Sequence, residues 1–286
     1  MNKSFRSTVQ LLRFHFSFFL MPVYWFALAC VPVINWQKAF LLFFILHILV
    51  YPASNGYNSY MDRDTTPIGG LEEPPPPTRM LYNVSVGMNL LALLLAYLVF
   101  PLVAIGIIFY IVASLAYSYR GIHLKKYPFI GFTTVVLCQG ALVFFLTYSA
   151  AGGIGYPLWQ MLAASLLIAG AYPITQVYQH EADKADGVVT LSYFLGYRGT
   201  FVFTGIVYAL VFLVLARLFF IAGRPASFFI WALCMLPVVI YFMWWFVKVA
   251  KDERSADFKN TMRMTLISSG CSNVAFILIL INNHLE

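Results

Sequence analysis

Charged residues are scarce in this chain. Only 10% of its 286 residues are Asp, Glu, Lys or Arg, whereas 61% are hydrophobic, and the mean hydropathy is +0.80. A soluble domain carries about 25% charged residues, so this chain lacks the polar groups needed to cover itself in water. Long apolar segments, such as the run that begins at Leu90, instead predict a multi-pass integral membrane protein.

Cysteine is also scarce, and its spacing excludes common metal and disulfide frameworks. The four cysteines lie far apart inside apolar segments, without a CxxC pair, at Cys30, Cys138, Cys234 and Cys271. A cysteine in such a setting behaves as a small hydrophobic residue. We therefore expect neither a zinc site nor a disulfide.

A cleavable leader and a nucleic-acid partner are not expected either. The first apolar segment, "FHFSFFLMPVYWFALACVPVI", lacks a clean small-residue cleavage site and is long enough to span a bilayer. The net charge is +7, but no basic tail accompanies it. This charge favours membrane orientation and contact with anionic lipids over nucleic-acid binding.

The apolar segments predict an all-α bundle of nine transmembrane helices in a single domain, 1–286. A membrane helix needs about 20 mostly apolar residues. The third and fourth segments are divided only by "FPL" around Pro101; an unbroken helix there would be far too long. The predicted spans are 14–34, 38–58, 81–100, 101–119, 129–150, 158–178, 200–221, 227–249 and 263–283.

The distribution of positive charge predicts the orientation of the bundle. With nine spans and a cytoplasmic N-terminus, only Lys38, Arg217 and Arg224 of the 18 Lys and Arg residues face outside, and the other 15 face the cytoplasm. This asymmetry is what the positive-inside rule expects. The C-terminus is then outside, and the protein is predicted to sit in an inner membrane of bacterial or archaeal type.

Acidic residues concentrate in two of the predicted cytoplasmic loops, about 59–80 and 179–199. Seven of the 11 acidic residues lie there: Asp62, Asp64, Glu72 and Glu73 after span two, and Glu181, Asp183 and Asp186 after span six. Two carboxylate clusters on one face, together with many cations, indicate a functional site on the cytoplasmic side. The alternative interpretation is that these are solvated loop residues and helix caps.

Helical spacing places the polar groups of each cluster on one face. Asn55, Asn58 and Asp62 fall at i, i+3 and i+7, and Gln179, Asp183 and Asp186 fall at i, i+4 and i+7. Oxygen ligands of this kind suit Mg²⁺, which keeps several waters and bridges carboxylates to substrate phosphates. The predicted magnesium ligands are Asn58, Asp62, Asp64, Gln179, Glu181, Asp183 and Asp186.

Cations on the same predicted face favour a diphosphate between the two clusters. The segment "YSYRGIHLKKYP" supplies Arg120, Lys125 and Lys126, and Arg79 follows the proline run. Arg and Lys clamp phosphoryl oxygens and stabilise charge on a leaving diphosphate. Arg79, Arg120 and Lys125, with Asn55, are the predicted diphosphate contacts, whereas membrane anchoring is favoured for Lys126.

The two clusters resemble the Asp-rich motifs of the UbiA-type intramembrane prenyltransferases. The first family motif is approximately NxxxDxxxD, and "NSYMDRDTT" supplies Asn58 and Asp62; the second is approximately DxxxDxxxGxxTL, and "QHEADKADGVVTL" supplies Asp183 and Gly187. The stretch "YSYRGIHLKKYP" is similar to the family's Tyr-Ser…Leu-Lys segment. Helix number, motif order and sidedness also agree along the whole chain.

Two motif positions depart from the family pattern. Thr66 stands where the first motif has its final Asp, with Asp64 two residues earlier, and Gln179 stands where the second motif has its opening Asp. "GLEEPPPPTR" replaces the family's Arg-rich stretch after the first motif. This stretch is expected to form a stiff, extended lid or connector, and a docking ligand for a partner is the alternative.

The resemblance implies Mg²⁺-dependent transfer of an isoprenyl group from a prenyl diphosphate to an aromatic or other lipophilic acceptor within the membrane. Asn58, Asp62, Asp183 and Lys125 are the implied catalytic residues. Tyr117 and Tyr178 lie near the site in sequence without an assigned role, and His180 is either a base beside the acceptor or a solvated loop residue.

Other functions stay open at this stage. A relative with the same scaffold and different isoprenoid chemistry, such as cyclisation or phosphoribosyl transfer, or with no activity, is the main alternative. A transporter is less favoured, because ionisable residues cluster at one face and are nearly lacking at mid-depth.

Overall fold

The computed structural model describes residues 3–285 and is built from α-helices joined by short loops. Within these residues, nine helices are long and apolar enough to cross a membrane, as the sequence predicts. They are α1 Lys3–Ala29, α2 Trp36–Asp62, α3 Arg79–Val99, α4 Pro101–Ser118, α5 Pro128–Ala150, α6 Leu158–Ala185, α7 Leu191–Ile221, α8 Pro225–Lys251 and α9 Phe258–His284.

The predicted division between the third and fourth spans is confirmed. Phe100 adopts an extended conformation, with φ −175° and ψ 138°, between α3 and α4. Pro101 follows at the first position of α4. A proline disfavours helical geometry in the preceding residue and lacks an N–H for the helix before it, so this one residue pair ends α3 and starts α4.

Several predicted boundaries are wrong by five residues or more, and the largest differences concern the first span and the second motif loop. The first span was placed at 14–34, but α1 runs over Lys3–Ala29, because the polar-faced segment before Phe14 is also helical. The second motif loop was placed at 179–199, but only 186–190 separate α6 from α7. Thr190 caps α7 by accepting a hydrogen bond from the Tyr193 N–H, and so starts that helix nine residues before the predicted residue 200.

The nine helices pack as a closed ring in chain order. Each helix contacts the next, and α9 packs against α1 to complete the ring. The outward faces carry exposed apolar side chains, for example Leu94, Ile105, Leu213 and Ile240. Since these faces have no protein partner within residues 3–285, lipid covers them in a multi-pass membrane protein.

Several helices depart from regular α geometry beside the interior of the ring. Arg13 has a left-handed φ of 47° and is followed by a 3₁₀ segment, Phe14–Leu20. Six-residue π-helical segments occur in α2 at Ile45–Val50 and in α5 at Leu137–Leu142. Such departures often accompany functional sites in membrane helices.

The loop 63–78 lies against the start of α1. A tight turn pairs Ile68 with Leu71, the Ser7 hydroxyl donates to the Pro76 carbonyl at 2.7 Å, and the hydroxyls of Ser4 and Thr78 are 2.9 Å apart. These hydrogen bonds hold the C-terminal end of the proline run against α1. This contact supports its role as a connector more than as a free docking ligand.

Gly140 allows α5 and α6 to approach closely, and its replacement tests this packing. A Cβ at Gly140 would lie 2.6 Å from Ser165 Cα, whereas a Cβ at Gly87 would meet nothing within 4 Å. We expect Gly140→Ala to destabilise the fold by about 1–3 kcal/mol through overpacking. Thermal unfolding in detergent measures this, with Gly87→Ala as the matched control; equal stability of the two variants would contradict the close approach.

Candidate functional site

One large cavity opens between the two motif regions and continues into the ring. Its volume is about 530 Å³. Eight of the site residues predicted from sequence line it: Asn55, Asn58, Asp62, Asp64, Lys125, Gln179, Asp183 and Asp186. The end of the bundle that carries these residues is called the motif end below.

Asp62 is a nearly enclosed carboxylate, with a side chain only 3% exposed. Its Oδ2 atom lies 2.7 Å from Lys125 Nζ and accepts a hydrogen bond from Asn58 Nδ2 at 2.7 Å. Asn58 Nδ2 also donates to the Ser118 hydroxyl at 3.1 Å. A carboxylate with so little water contact needs such partners, because an unpaired buried charge is strongly unfavourable.

Arg120 connects the two motifs. Its Nη1 atom donates to both Asp186 oxygens, at 2.9 and 2.8 Å, and its Nη2 atom is 3.8 Å from Asp62 Oδ1. The hydrogen bond to Asp186 raises the pKa of Arg120 above its ordinary value. Arg120 itself does not line the cavity, so in this structure it bridges carboxylates at the rim.

Asp183 projects from the last turns of α6 into the same cavity. Its Oδ2 atom accepts a hydrogen bond from the Thr190 hydroxyl at 3.0 Å. The same hydroxyl oxygen accepts from the Tyr193 N–H at 3.2 Å. Thr190 thus caps α7 and orients Asp183 at once, which joins the geometry of the second motif to the start of the following helix.

Asp64 reaches the cavity from just beyond the end of α2. Arg63 has a left-handed φ of 55° and ends the helix, and Asp64 follows in the loop. Burial raises the pKa of Asp64, and the negative charge of Asp62 raises it further, against the charges of Lys125 and Arg13. Four carboxylate side chains, Asp62, Asp64, Asp183 and Asp186, and two cations, Lys125 and Arg13, line the cavity.

Arg13 is a buried cation in the cavity wall that the sequence analysis counted only for orientation. It is 6% exposed, and its guanidinium donates to the Gly69 carbonyl at 3.2 Å and the Asn55 carbonyl at 3.4 Å. Its Nε has no hydrogen-bond partner within the described residues. The available signal was a single arginine inside an otherwise apolar stretch, "LLRFHF".

Three polar side chains form a chain beneath the carboxylates. Gln176 Nε2 donates to the Tyr172 hydroxyl at 3.0 Å, and the hydroxyls of Tyr172 and Tyr117 form a short hydrogen bond. Either tyrosine hydroxyl can be the donor in this pair, because a phenol oxygen both donates one hydrogen bond and accepts others. Tyr178 also lines this region.

The deeper part of the cavity lies between α7, α8 and α9 and is mainly apolar, with a few hydroxyl side chains such as Thr204 and Thr265. Phe212, Met235, Val238, Phe242 and Met243 are among its walls. Met235 is 16 residues from Lys251 at the end of α8, which corresponds to about 24 Å along the helix. An elongated hydrocarbon chain fits such a channel better than a compact polar molecule does.

Three residues considered in the sequence analysis lie apart from the cavity. Glu181 is exposed, and Arg79 lines a separate pocket in the loop region. His180 is buried; its Nε2 pairs with the Ser192 hydroxyl at 2.8 Å, and its ring stacks on Tyr197. The predicted contacts of Glu181 and Arg79 with metal or diphosphate stay predictions, and His180 is neither solvated nor beside the cavity.

The residues at the mouth fit a magnesium ion that is shared with a substrate. Asp62 Oδ1, a buried carboxylate oxygen, accepts no hydrogen bond within residues 3–285. The neighbouring candidate metal ligands are also hard oxygen atoms. No three His, Cys, Asp or Glu side chains of the described chain group closely enough to hold a metal by themselves. Mg²⁺ typically binds through one or two carboxylates, waters and substrate phosphates, which agrees with this arrangement.

Comparisons with known proteins agree with the geometry. The model of the UbiA prenyltransferase family matches residues 19–267. A comparison with curated protein sequences gave no match.

Solved structures of similar fold cover nearly the whole chain. A UbiA homologue from Archaeoglobus fulgidus bound to GPP and Mg²⁺ has a TM-score of 0.70 at 20% identity, over 96% of this chain and 99% of its own. A UbiA homologue from Aeropyrum pernix K1 has a TM-score of 0.67 at 17% identity, over 95% and 97%. A digeranylgeranylglyceryl phosphate synthase has a TM-score of 0.64 at 16% identity, over 100% of both chains.

Removal of the Lys125 charge tests the ion pair with Asp62. Lys125→Met leaves a 3%-exposed carboxylate without its nearest cation, and we expect a loss of about 3 kcal/mol in the free energy of unfolding. Lys126→Met is the matched control on the neighbouring lysine. The double variant Lys125→Met/Asp62→Asn, measured by the same thermal unfolding, is expected to recover part of the loss; an additive effect would show that the pair is not coupled.

Proposed function

Because this chain belongs to the UbiA prenyltransferase family, we propose that it transfers an isoprenyl group from a prenyl diphosphate to a lipophilic, typically aromatic, acceptor within the membrane, with Mg²⁺ as cofactor. One observation carries the proposal: carboxylates of both motifs, Lys125 and Arg13 line the mouth of a single cavity whose deep part is apolar. An amphipathic substrate with an anionic head and a hydrocarbon tail matches this division.

The motif end is the proposed diphosphate site. Asn58, Asp62, Asp64, Gln179, Asp183 and Asp186 are the proposed magnesium ligands; Glu181, which is exposed, keeps only its sequence-based assignment. Mg²⁺ bound there would neutralise the charge that develops on the departing diphosphate. Asn58, Asp62, Asp183 and Lys125 are the proposed catalytic residues, and we propose that the motif end faces the cytoplasm, with the N-terminus.

The protein's own cations hold the diphosphate in this proposal. Lys125, from the short 3₁₀ segment before α5, and Arg13, from α1, line the cavity, and both present positive charge with little surrounding water. Asn55 lines the cavity one turn before Asn58. Charge-assisted hydrogen bonds from such groups to phosphoryl oxygens are stronger than neutral ones, so they stabilise the diphosphate as the allylic C–O bond breaks and the electron pair leaves with oxygen.

The region beneath the carboxylates protects and directs the reacting carbon. Tyr117, Tyr172 and Tyr178 line the cavity there, and aromatic faces attract a carbocation-like centre. The apolar channel beyond them holds the tail and excludes water, which would otherwise capture the allylic carbon. The acceptor nucleophile then forms the new bond to that carbon and loses a proton.

Replacement of the motif carboxylates tests the reaction class. Asp62→Asn and Asp183→Asn preserve shape and remove charge, so we expect each to lower Mg²⁺-dependent turnover at least about 100-fold, in line with losses seen when a charge-stabilising group is removed. The measurement is transfer and diphosphate release with radiolabelled geranyl, farnesyl and geranylgeranyl diphosphates in detergent. Asp252→Asn, in an exposed loop, is the control.

The same assay separates the alternatives. Diphosphate release with an unmodified acceptor and a rearranged tail would indicate cyclisation. Failure of folded protein to bind any chain length, with or without Mg²⁺, would overturn the proposal and leave a scaffold with other chemistry or none.

Arg13 is the second site tested. We expect Arg13→Gln to weaken the binding of a prenyl diphosphate about tenfold or more, because hydrogen bonds to a charged group contribute about 1.5–3 kcal/mol. Equilibrium binding of the radiolabelled diphosphate measures the effect. Arg6→Gln is the matched control, since Arg6 lies on the same helix but is exposed; equal binding by the two variants would remove Arg13 from the diphosphate site.

A further inference from the structure

A second pocket lies at the motif end, outside the main cavity. Its volume is about 470 Å³, and it is formed between the end of α2, the loop 63–78 and the start of α3. Arg63 and Arg79 contribute the cations of its wall, and Asp64 is the carboxylate that lines both this pocket and the main cavity. The pocket therefore carries a net positive charge beside the carboxylate-rich mouth.

The two arginines have no carboxylate partner. Neither forms an ion pair within residues 3–285, where the pairs found involve Arg120, Lys125 and Arg198. Glu72 and Glu73 belong to the same loop but do not line the pocket. Two guanidinium groups around one pocket, with Asp64 as the single lining carboxylate and no ion pair to it, leave donors available for an anion.

The rest of the wall is rigid. Pro74, Pro76 and Pro77 line one side, and proline offers no N–H and little conformational freedom. The guanidinium of Arg79 lies over the Tyr82 ring, with 5.4 Å between the guanidinium carbon and the ring centroid, and the Tyr82 ring packs against that of Tyr60. Arg79 is thus held in place by stacking, which lowers the entropy lost when it binds.

Hydroxyl groups add neutral donors. Tyr60 and Thr65 both line the pocket. Arg63 is fixed at its backbone by the left-handed turn that ends α2. A tetrahedral oxyanion suits this set, because guanidinium forks bind phosphoryl oxygens in pairs and hydroxyls take the remaining positions.

The pocket also lies at the depth where membrane phosphates occur. It lies between Asp62, the last residue of α2, and Arg79, the first residue of α3. Helix ends of this kind meet the headgroup layer, where anionic lipids attract basic side chains. Lipid headgroups and free phosphate present the same chemistry to the two arginines.

We infer that the Arg63–Arg79 pocket is a second anion site, distinct from the proposed diphosphate site, that binds a phosphate group carried by a lipid headgroup or free in solution. This inference does not depend on the proposed prenyl transfer. It gives Arg79 a role that agrees with its position outside the main cavity.

The test measures phosphate binding by the full chain in two arms. In the first, inorganic phosphate is titrated into metal-free protein in detergent at constant ionic strength, and the unfolding temperature is followed. In the second, the number of phosphatidylglycerol molecules retained is measured after exchange into bilayer discs of phosphatidylcholine with and without phosphatidylglycerol. We expect Arg63→Gln and Arg79→Gln each to weaken binding about tenfold. The loss is expected for inorganic phosphate, for phosphatidylglycerol or for both, according to which of them the wild-type protein binds.

The matched control is Arg254→Gln, an exposed arginine in the loop between α8 and α9. A response confined to the first arm identifies free phosphate as the source, and one confined to the second identifies the lipid headgroup; both support the site. Equal binding by wild type and both pocket variants overturns the inference. An equal loss in Arg254→Gln also overturns it, because it would show diffuse attraction and no defined pocket.

Discussion

The desolvated carboxylate of Asp62 is the constraint on which the motif end depends. A side chain 3% exposed at the end of a membrane helix can keep its charge only if cations and donors approach it closely. Lys125 and Asn58 supply them at 2.7 Å each, and Arg120 adds a longer contact while it holds Asp186. One charge thereby ties the end of α2 to the segment before α5 and, through Arg120, to the loop after α6.

This network explains why three distant parts of the chain form one site. Asp62, Lys125 and Asp183 are separated by about 60 residues each in sequence, yet they line the same cavity. Arg13 of α1 reaches the same cavity, where it donates to the carbonyls of Gly69 and Asn55. In the proposed function, an anionic substrate head would therefore meet cations from α1 and the segment before α5 and oxygen ligands from the ends of α2 and α6, whereas its tail would meet mainly apolar side chains.

Sequence patterns predict the parts of this structure that depend on local chemistry. The nine apolar spans, the break at Pro101 and the one-face spacing of Asn58 and Asp62 all follow from short-range rules of helix length and periodicity. Arg13 was missed because its importance arises from packing against Asn55 and Gly69, which no local pattern reveals. The early start of α7 was missed because Thr190 caps the helix and binds Asp183 together, a coupling between two elements.

The departures from the family motif have a geometric explanation at the first cluster. In a continuing helix, the residue four positions after Asp62 would share its face, and that residue is Thr66. The helix instead ends at Arg63, whose left-handed φ of 55° turns the chain, so Asp64 lines the cavity and Thr66 does not.

At the second cluster, Gln179 lines the cavity without charge, and Asp186 lines it just beyond the end of α6. Two carboxylates from each cluster thus remain around the mouth although their sequence positions have moved. Since the attraction for a divalent cation depends on the number and proximity of charges and not on their order in the chain, the altered motifs keep a cluster of carboxylates that the proposed Mg²⁺-dependent binding of a diphosphate would use.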